Sequence, residues 1–441
     1  MTVSFFVTAV FTLVLSSCIA LTIYFKRTVN TFSLAVPCWI MMLWLFKGGI
    51  DFVIAHKYGI QLRYESELFP VKLDSNYAIS YLMYFLYFFS YAMFAFLYVY
   101  ILRKRKIKHI SFEGMKANFL LIAISVLTTL VYAKFAINMA SDAASAGMSA
   151  YMYSRFNTGS EKPLYTLISW IALIASLLSF ALGSKKIKLL SFALLLLIFA
   201  SSTVLGNRHI LISAIIFTFL LFFDAKKFQV STYIKATLSF VLAISLVMSI
   251  YVIREMKEVS LEHVDWNHVS DSVINITSSS EFVYSHMSMY GVLLNKVEPS
   301  YGHSFLFLGT TVLPRFILDN RSQDIYGYYI ERVRPDPFKG FSISNPTGWY
   351  LNLGVIGLVV GGFSLGLLVC FLHYLSYFGN GRFRLFYFLL LCLFLSDIVG
   401  FMRAGGPEPF RAVFIIKSLI PALIIYFMLK VSWKPNSSER V

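Results

Sequence analysis

Apolar stretches of about twenty residues recur along most of this 441-residue chain, separated by short polar segments where lysine and arginine collect. Runs of that length match the hydrocarbon thickness of a bilayer and read as transmembrane helices. The pattern predicts spans near 3–25, 32–55, 78–102, 118–140, 163–182, 189–206, 210–223, 233–253, 346–373, 383–402 and 411–429, eleven in all. Between the eighth and ninth runs a long segment, 254–345, is left outside. It holds one further apolar run, His303 to Leu318, interrupted by Gly309 and Pro314. Sixteen residues are short for a crossing and suit a re-entrant or interfacial helix. The fold class expected is an all-α polytopic membrane protein with about 11 transmembrane helices (10–12). It forms a single membrane domain over 1–441, with 254–345 as one large extracytoplasmic loop containing short helices and 430–441 as a tail. No internal repeat is visible.

Composition sharpens this picture. The chain is 58% hydrophobic and 14% charged, against about 45–50% apolar and about 25% charged in an average soluble domain. A soluble enzyme, a disordered chain, a coiled coil and a secreted disulfide scaffold are excluded. A net charge of +16 would suggest nucleic acid in a soluble protein. Here the cations collect in alternate loops: Lys26-Arg27, Arg103-Lys104-Arg105-Lys106 with Lys108, Lys185-Lys186 with Lys188, Lys226-Lys227, Arg382 with Arg384, and the tail from Lys430. One topology, with the N-terminus outside and the C-terminus inside, puts every one of these clusters in the cytoplasm. The bilayer is therefore the first partner, and nucleic acid is not expected. Lys26-Arg27 follows the first apolar run instead of preceding it, which suits a retained span and not a cleaved signal peptide. Cys18, Cys38, Cys370 and Cys392 all fall inside apolar runs with no histidine beside them. They read as packing residues, and neither metal nor cofactor is expected.

The outer side should be poor in cations, yet it holds Arg63, Arg155, Arg208, Arg254, Arg315, Arg321, Arg332, Arg334, Arg403 and Arg411. Arginine exceeds lysine where phosphate or carboxylate is gripped by two parallel hydrogen bonds. An anionic substrate on the outer side, such as a diphosphate or acidic sugars, is the simplest partner. Arg63, Arg321, Arg332 and Arg334 read either as solvated surface groups or as part of that anion-binding set. Arg254, Arg315, Arg403 and Arg411 each end an apolar run, and the last two bracket a tight turn, Ala404-Gly405-Gly406-Pro407-Glu408-Pro409-Phe410. Arg208 lies at the tip of a hairpin, 189–223, that has 35 residues where two crossings need about 40. The tip then sits below the outer surface. Arg208 either snorkels to the interface as an anchor or faces a water-filled recess and binds an anion.

Outer acids worth weighing are Glu255, Glu281, Asp319 and Glu408. Glu281 follows three serines and precedes an aromatic-rich stretch, so it reads either as a first-turn helix carboxylate or as a group that accepts a sugar hydroxyl proton. His286 and His303 are also on this side, either as a base or as incidental loop histidines. Gly354 and Gly357 lie inside an apolar run and read as helix-packing residues instead of a phosphate loop. No catalytic triad, metal cluster or nucleotide loop is legible, so any reaction draws its free energy from the substrate or a gradient.

Taken in order, these elements resemble a family. They are the Gly206-Asn207-Arg208-His209 turn, the long loop after the eighth span, Tyr301-Gly302, Leu313-Pro314-Arg315, the stretch Ser344-Asn345-Pro346-Thr347-Gly348-Trp349-Tyr350-Leu351-Asn352-Leu353-Gly354-Val355-Ile356-Gly357, and Phe401-Met402-Arg403-Ala404-Gly405. The chain resembles the Wzy-type polymerases of bacterial surface polysaccharides, the O-antigen and enterobacterial-common-antigen group. The related O-antigen ligases carry a histidine-rich outer motif that this sequence lacks. The resemblance implies a GT-C-like fold in the bacterial inner membrane with its active site facing the periplasm. The substrate implied is an oligosaccharide repeat unit on undecaprenyl diphosphate, and the reaction transfers the growing chain to a sugar hydroxyl of the incoming unit without metal or cofactor. A chain-length regulator is an implied partner. Arg208, Arg315 and Arg403 would stabilise the leaving diphosphate, and Glu281 would activate the acceptor hydroxyl. Arg155, Arg254, Arg411, His303, Asn345 and Tyr350 would hold diphosphate or sugar. The rival readings are an O-antigen ligase and a lipid-linked oligosaccharide flippase or transporter.

Overall fold

The computed structural model describes residues 3–50, 53, 72–105, 117–146, 162–205, 209–224, 281–312, 323–333, 343–379 and 383–432. Among them every regular element is helical: α1 (Val3–Val29), α2 (Val36–Leu45), α3 (Ser75–Leu102), α4 (Phe119–Ser145), α5 (Lys162–Leu182), α6 (Lys185–Val204), α7 (His209–Phe223), α8 (Glu281–Leu294), α9 (His303–Val312), α10 (Ile325–Val333), α11 (Asn345–Tyr377), α12 (Arg384–Ser396), α13 (Ile398–Met402) and α14 (Ile420–Ser432). Two wide π-type coils, Phe46–Ile50 and Phe410–Leu419, continue α2 and precede α14.

Among the described residues, seven helical stretches are long and apolar enough to cross a membrane. They are α1, α3, α4, α6, α11, most of α5 and the stretch Phe410–Leu429. Their outward faces carry exposed Phe5, Leu13, Leu127, Ile137, Leu189 and Phe192. A soluble protein does not present apolar surface on this scale. The chain is a multi-pass membrane protein, helical throughout its regular elements among the described residues. Among the described residues every expected run except 233–253, which lies outside them, contains helix; of 32–55 only 32–50 and 53 are described.

The runs are less regular than their hydropathy suggests, and each irregularity has a local cause. The second run stops being α-helical at Leu45. Gly48 and Gly49 there lie against the side chains of His286 and Tyr81, where a Cβ would come within 2.2 and 2.1 Å of them. The ninth run is broken at Gly354, which has φ 65° and ψ −148°. The last run opens as a wide coil on the N-terminal side of Pro421, which has no N–H to continue a regular ladder.

The helices sort into two compact units. One comprises Met1–Lys106, Met248–Phe371 and Ile398–Val413. Its spine is α3, where Tyr77, Tyr81, Tyr84, Tyr87 and Tyr91 recur at helical spacing and are all buried. Each hydroxyl donates to an acceptor on another segment. Tyr77 reaches the Gly48 and Gly49 carbonyls at 3.1 and 3.0 Å. Tyr81 reaches Leu45 at 3.2 Å and Tyr91 reaches Leu34 at 2.9 Å. Tyr84 donates to the His286 carbonyl at 3.0 Å, and Tyr87 to Asn345 Oδ1 at 2.8 Å. The Leu34, Leu45, Gly48 and Gly49 carbonyls lie where α2 starts, stops or widens, so Tyr77, Tyr81 and Tyr91 satisfy groups those irregularities leave open. Tyr84 and Tyr87 tie α3 to α8 and to the head of α11.

The other unit comprises Ile107–Val247, Leu372–Asp397 and Phe414–Val441. Here α4, α5 and α6 pack together, with Ser125 Oγ 2.8 Å from Ser176 Oγ, and Tyr132 Oη 3.2 Å from Ser202 Oγ. Phe135 and Tyr165 stack at 3.6 Å between ring centroids. Asp397, fully buried between α12 and α13, pairs with Lys417 at 3.0 Å. Lys417 in turn lies 5.9 Å from the centre of the Trp170 ring.

Candidate functional site

The site grows from the first turns of α11. Ser344 caps the helix, its hydroxyl accepting from the Thr347 N–H at 3.2 Å. The same hydroxyl lies 2.7 Å from Thr347 Oγ1 and 2.5 Å from the Tyr84 hydroxyl, and Thr347 Oγ1 is 2.8 Å from Ser288 Oγ. Ser288, Ser344 and Thr347 are all buried. This hydroxyl cluster ties α3, α8 and α11 together and fixes where α11 begins.

The next residue, Asn345, is 0% exposed and clamps a distant turn. Its Nδ2 donates to the carbonyls of Gly406 at 2.6 Å, Ala404 at 3.2 Å and Phe401 at 3.4 Å. The Gly406 N–H returns a bond to the Asn345 carbonyl at 3.2 Å. One helical turn on, a Cβ on Gly348 would sit 2.0 Å from the Gly406 nitrogen. The 403–408 turn thus lies backbone to backbone on α11, and only glycine allows it.

A second clamp stands seven residues along on the same face. Asn352 Nδ2 donates to Ser304 Oγ at 2.8 Å and to the Gly348 carbonyl at 2.7 Å, and its Oδ1 accepts from the Ser304 N–H at 2.9 Å. The break at Gly354 removes the helical donors that would have faced the carbonyls before it. The Leu351 and Asn352 carbonyls accept instead from the N–H groups of Ser300 at 2.6 Å and Gly302 at 3.2 Å.

Both clamps converge on Glu408. Its Oε1 accepts from Ser304 Oγ at 2.9 Å and from the Ile325 N–H, at the head of α10, at 2.7 Å. Burial pushes its carboxyl up to about 7, and nearby Asp324 acts in the same direction. The two hydrogen bonds pull the other way without cancelling the effect.

The expected site residues divide accordingly. Arg403 is half-buried on the clamped turn, and Arg411 is half-buried just beyond it. Asn345 was expected to touch substrate. Instead it is enclosed, with its carboxamide committed to the fold, so it positions the Arg403 turn. Tyr350 is half-buried and packs on the small core formed by Val292, Val297, Ile325, Tyr329, Ile343 and Leu351. Trp349 is also a packing residue, edge-on to Phe305 at 5.9 Å and close over Gly361. His286 is buried and stacked on Tyr84 at 4.2 Å. Burial lowers its pKa to about 3, which leaves it neutral and out of reach. Glu281 and His303 head α8 and α9, but their side chains lie outside the described residues, as do Arg155, Arg208, Arg254 and Arg315. Among the described residues no cluster of His, Cys, Asp or Glu could hold a metal ion.

Sequence reasoning missed Asn352, Ser304 and the tyrosine spine. The seven-residue spacing of Asn345 and Asn352 put both on one helix face, and the tyrosine spacing was equally readable. Nothing local marked Ser304. Comparison with known protein families, with curated proteins and with solved structures gave no match in any of the three.

Proposed function

We propose that this protein is a Wzy-type polymerase of a surface polysaccharide, a GT-C-like glycosyltransferase of about eleven spans in the bacterial inner membrane. It transfers a growing glycan from undecaprenyl diphosphate to a sugar hydroxyl of an incoming lipid-linked repeat unit at the periplasmic face. The observation that carries this reading is the lock between two stretches on which the resemblance rests. Asn345 and Gly348, in the Asn345–Gly357 stretch, hold the Arg403 turn in contact with it. A half-buried arginine and a half-buried carboxylate then share one turn at the end of an apolar run. That arrangement suits a lipid-borne anionic leaving group beside a sugar acceptor.

The glycosyl–diphosphate bond supplies the driving force, and negative charge grows on the diphosphate as that bond breaks. Guanidinium groups aimed at it stabilise the transition state more than the ground state, which is what raises the rate. Arg403 takes this role, together with Arg208 and Arg315. Arg155, Arg254 and Arg411 hold substrate.

A deletion strain tests the class. A polymerase mutant keeps a single repeat unit on its surface lipid and loses the long-chain ladder. Loss of all glycan favours a flippase or a ligase. Arg403→Ala, Arg208→Ala and Arg315→Ala should each cut chain extension by about 100-fold or more with protein still in the membrane. Lysine at these positions should rescue poorly, because it cannot form the paired bonds of a guanidinium. Normal ladders in all three variants would remove the arginines from the mechanism. A transporter is the second reading, favoured by the interrupted helix at Gly354, since broken helices line many transport sites.

A further inference from the structure

We infer that the Glu408 carboxylate is the base that takes the proton from the acceptor hydroxyl, an inference that rests on the transferase reading above. The geometry is that of a held but reachable carboxylate. Both of its hydrogen bonds fall on Oε1, from Ser304 on α9 and Ile325 on α10. None of the described residues donates to Oε2, and the Glu408 side chain is only half-buried. The donors are themselves fixed. Ser304 is 0% exposed and bound through both its N–H and its hydroxyl to Asn352, and Ile325 is 0% exposed in the small core beneath Tyr350. One oxygen is therefore anchored while the other is left without a donor among the described residues, five residues along the same turn from Arg403.

A residue that merely joins three segments needs an acceptor but no charge. A base needs an oxygen left free and an affinity for protons matched to the working pH. Glu408 has both. Asp324 is the charged group that acts on it, and it strengthens the carboxylate's hold on a proton. In the step proposed, the acceptor O–H bond breaks and its proton passes to Oε2. The hydroxyl oxygen forms the new bond to the donor sugar's anomeric carbon. The bond from that carbon to the diphosphate breaks, and its electron pair leaves on the diphosphate. Glu408 then returns the proton to water.

The test uses purified full-length protein and lipid-linked repeat units extracted from the deletion strain, which accumulates them. Chain extension is followed from pH 5 to 9. The wild-type rate should rise with pH through about 7 as Glu408 loses its proton. Glu408→Gln keeps an oxygen for both donors, so the fold and its melting temperature should hold. Extension should fall about 100-fold or more, and the residual rate should lose its dependence on pH. Ser304→Ala keeps the carboxylate but removes one bond that favours its charged form, so the rising limb should move to higher pH. A structural role would not move that limb. Should Glu408→Gln fail to fold, the Ser304→Ala limb decides. An active wild type with Glu408→Gln within threefold of it, or with a limb unmoved in Ser304→Ala, overturns this inference alone. A wild type that extends nothing overturns the transferase reading and this inference with it.

Discussion

Asn345 is the residue on which the site's geometry turns. Its carboxamide meets the Tyr87 hydroxyl and the carbonyls of a turn some sixty residues away, in buried or part-buried surroundings. Asn345→Ala would leave those buried groups without partners, at about 1–3 kcal/mol for each one stranded. The expected result is a clearly lowered melting temperature together with lost activity, because the Arg403 turn is released. Lost activity with an unchanged melting temperature would show that the amide meets substrate after all. At this scale the sequence disclosed chemistry better than roles. Arg403 and Asn345 stood out by type and setting, but an asparagine that binds sugar and one that braces a turn read identically. Glu408 was visible as an outer acid. What distinguishes it are donors 104 and 83 residues away in sequence, and no local pattern brings those together.

Helices were legible as runs but not in their interruptions. Hydropathy reports which residues avoid water, and it stays high through a wide coil or a break as long as the side chains remain apolar. Gly354 shows the difference. Read as a packing glycine, it is in fact a break whose backbone conformation is nearly exclusive to glycine. A Cβ there would meet little, with Pro299 Cγ 3.6 Å away, so strain and not crowding is the obstacle. Gly354→Ala should cost about 1–3 kcal/mol and pull Ser300 and Gly302 from the carbonyls they now cap. Gly309→Ala on α9, where nothing lies within 4 Å of the added carbon, is the matched control and should be neutral or slightly stabilising. Equal melting temperatures for the two variants would argue against the break.

For the whole molecule, composition and the alternation of basic loops were enough to place the chain in a bilayer. Association within that bilayer rests on polar contacts that composition does not reveal. The Asp397–Lys417 pair is the clearest, an ion pair inside two apolar runs. Asp397→Ala would remove the lysine's carboxylate partner, and Lys417→Met would remove the cation beside the carboxylate. Each should destabilise by about 3–5 kcal/mol, and the double replacement by leucine should recover most of the loss. If each single variant melts like the wild type, the pair carries no such weight. The tyrosine spine has a consequence for how the protein is made. Tyr84 and Tyr87 are synthesised 202 and 258 residues before the groups they bind. Through that interval the growing chain carries these hydroxyls without the His286 and Asn345 acceptors, and the Tyr87 bond forms only when Asn345 emerges. A chain truncated before Asn345 should therefore be cleaved by added protease more readily than the full-length protein.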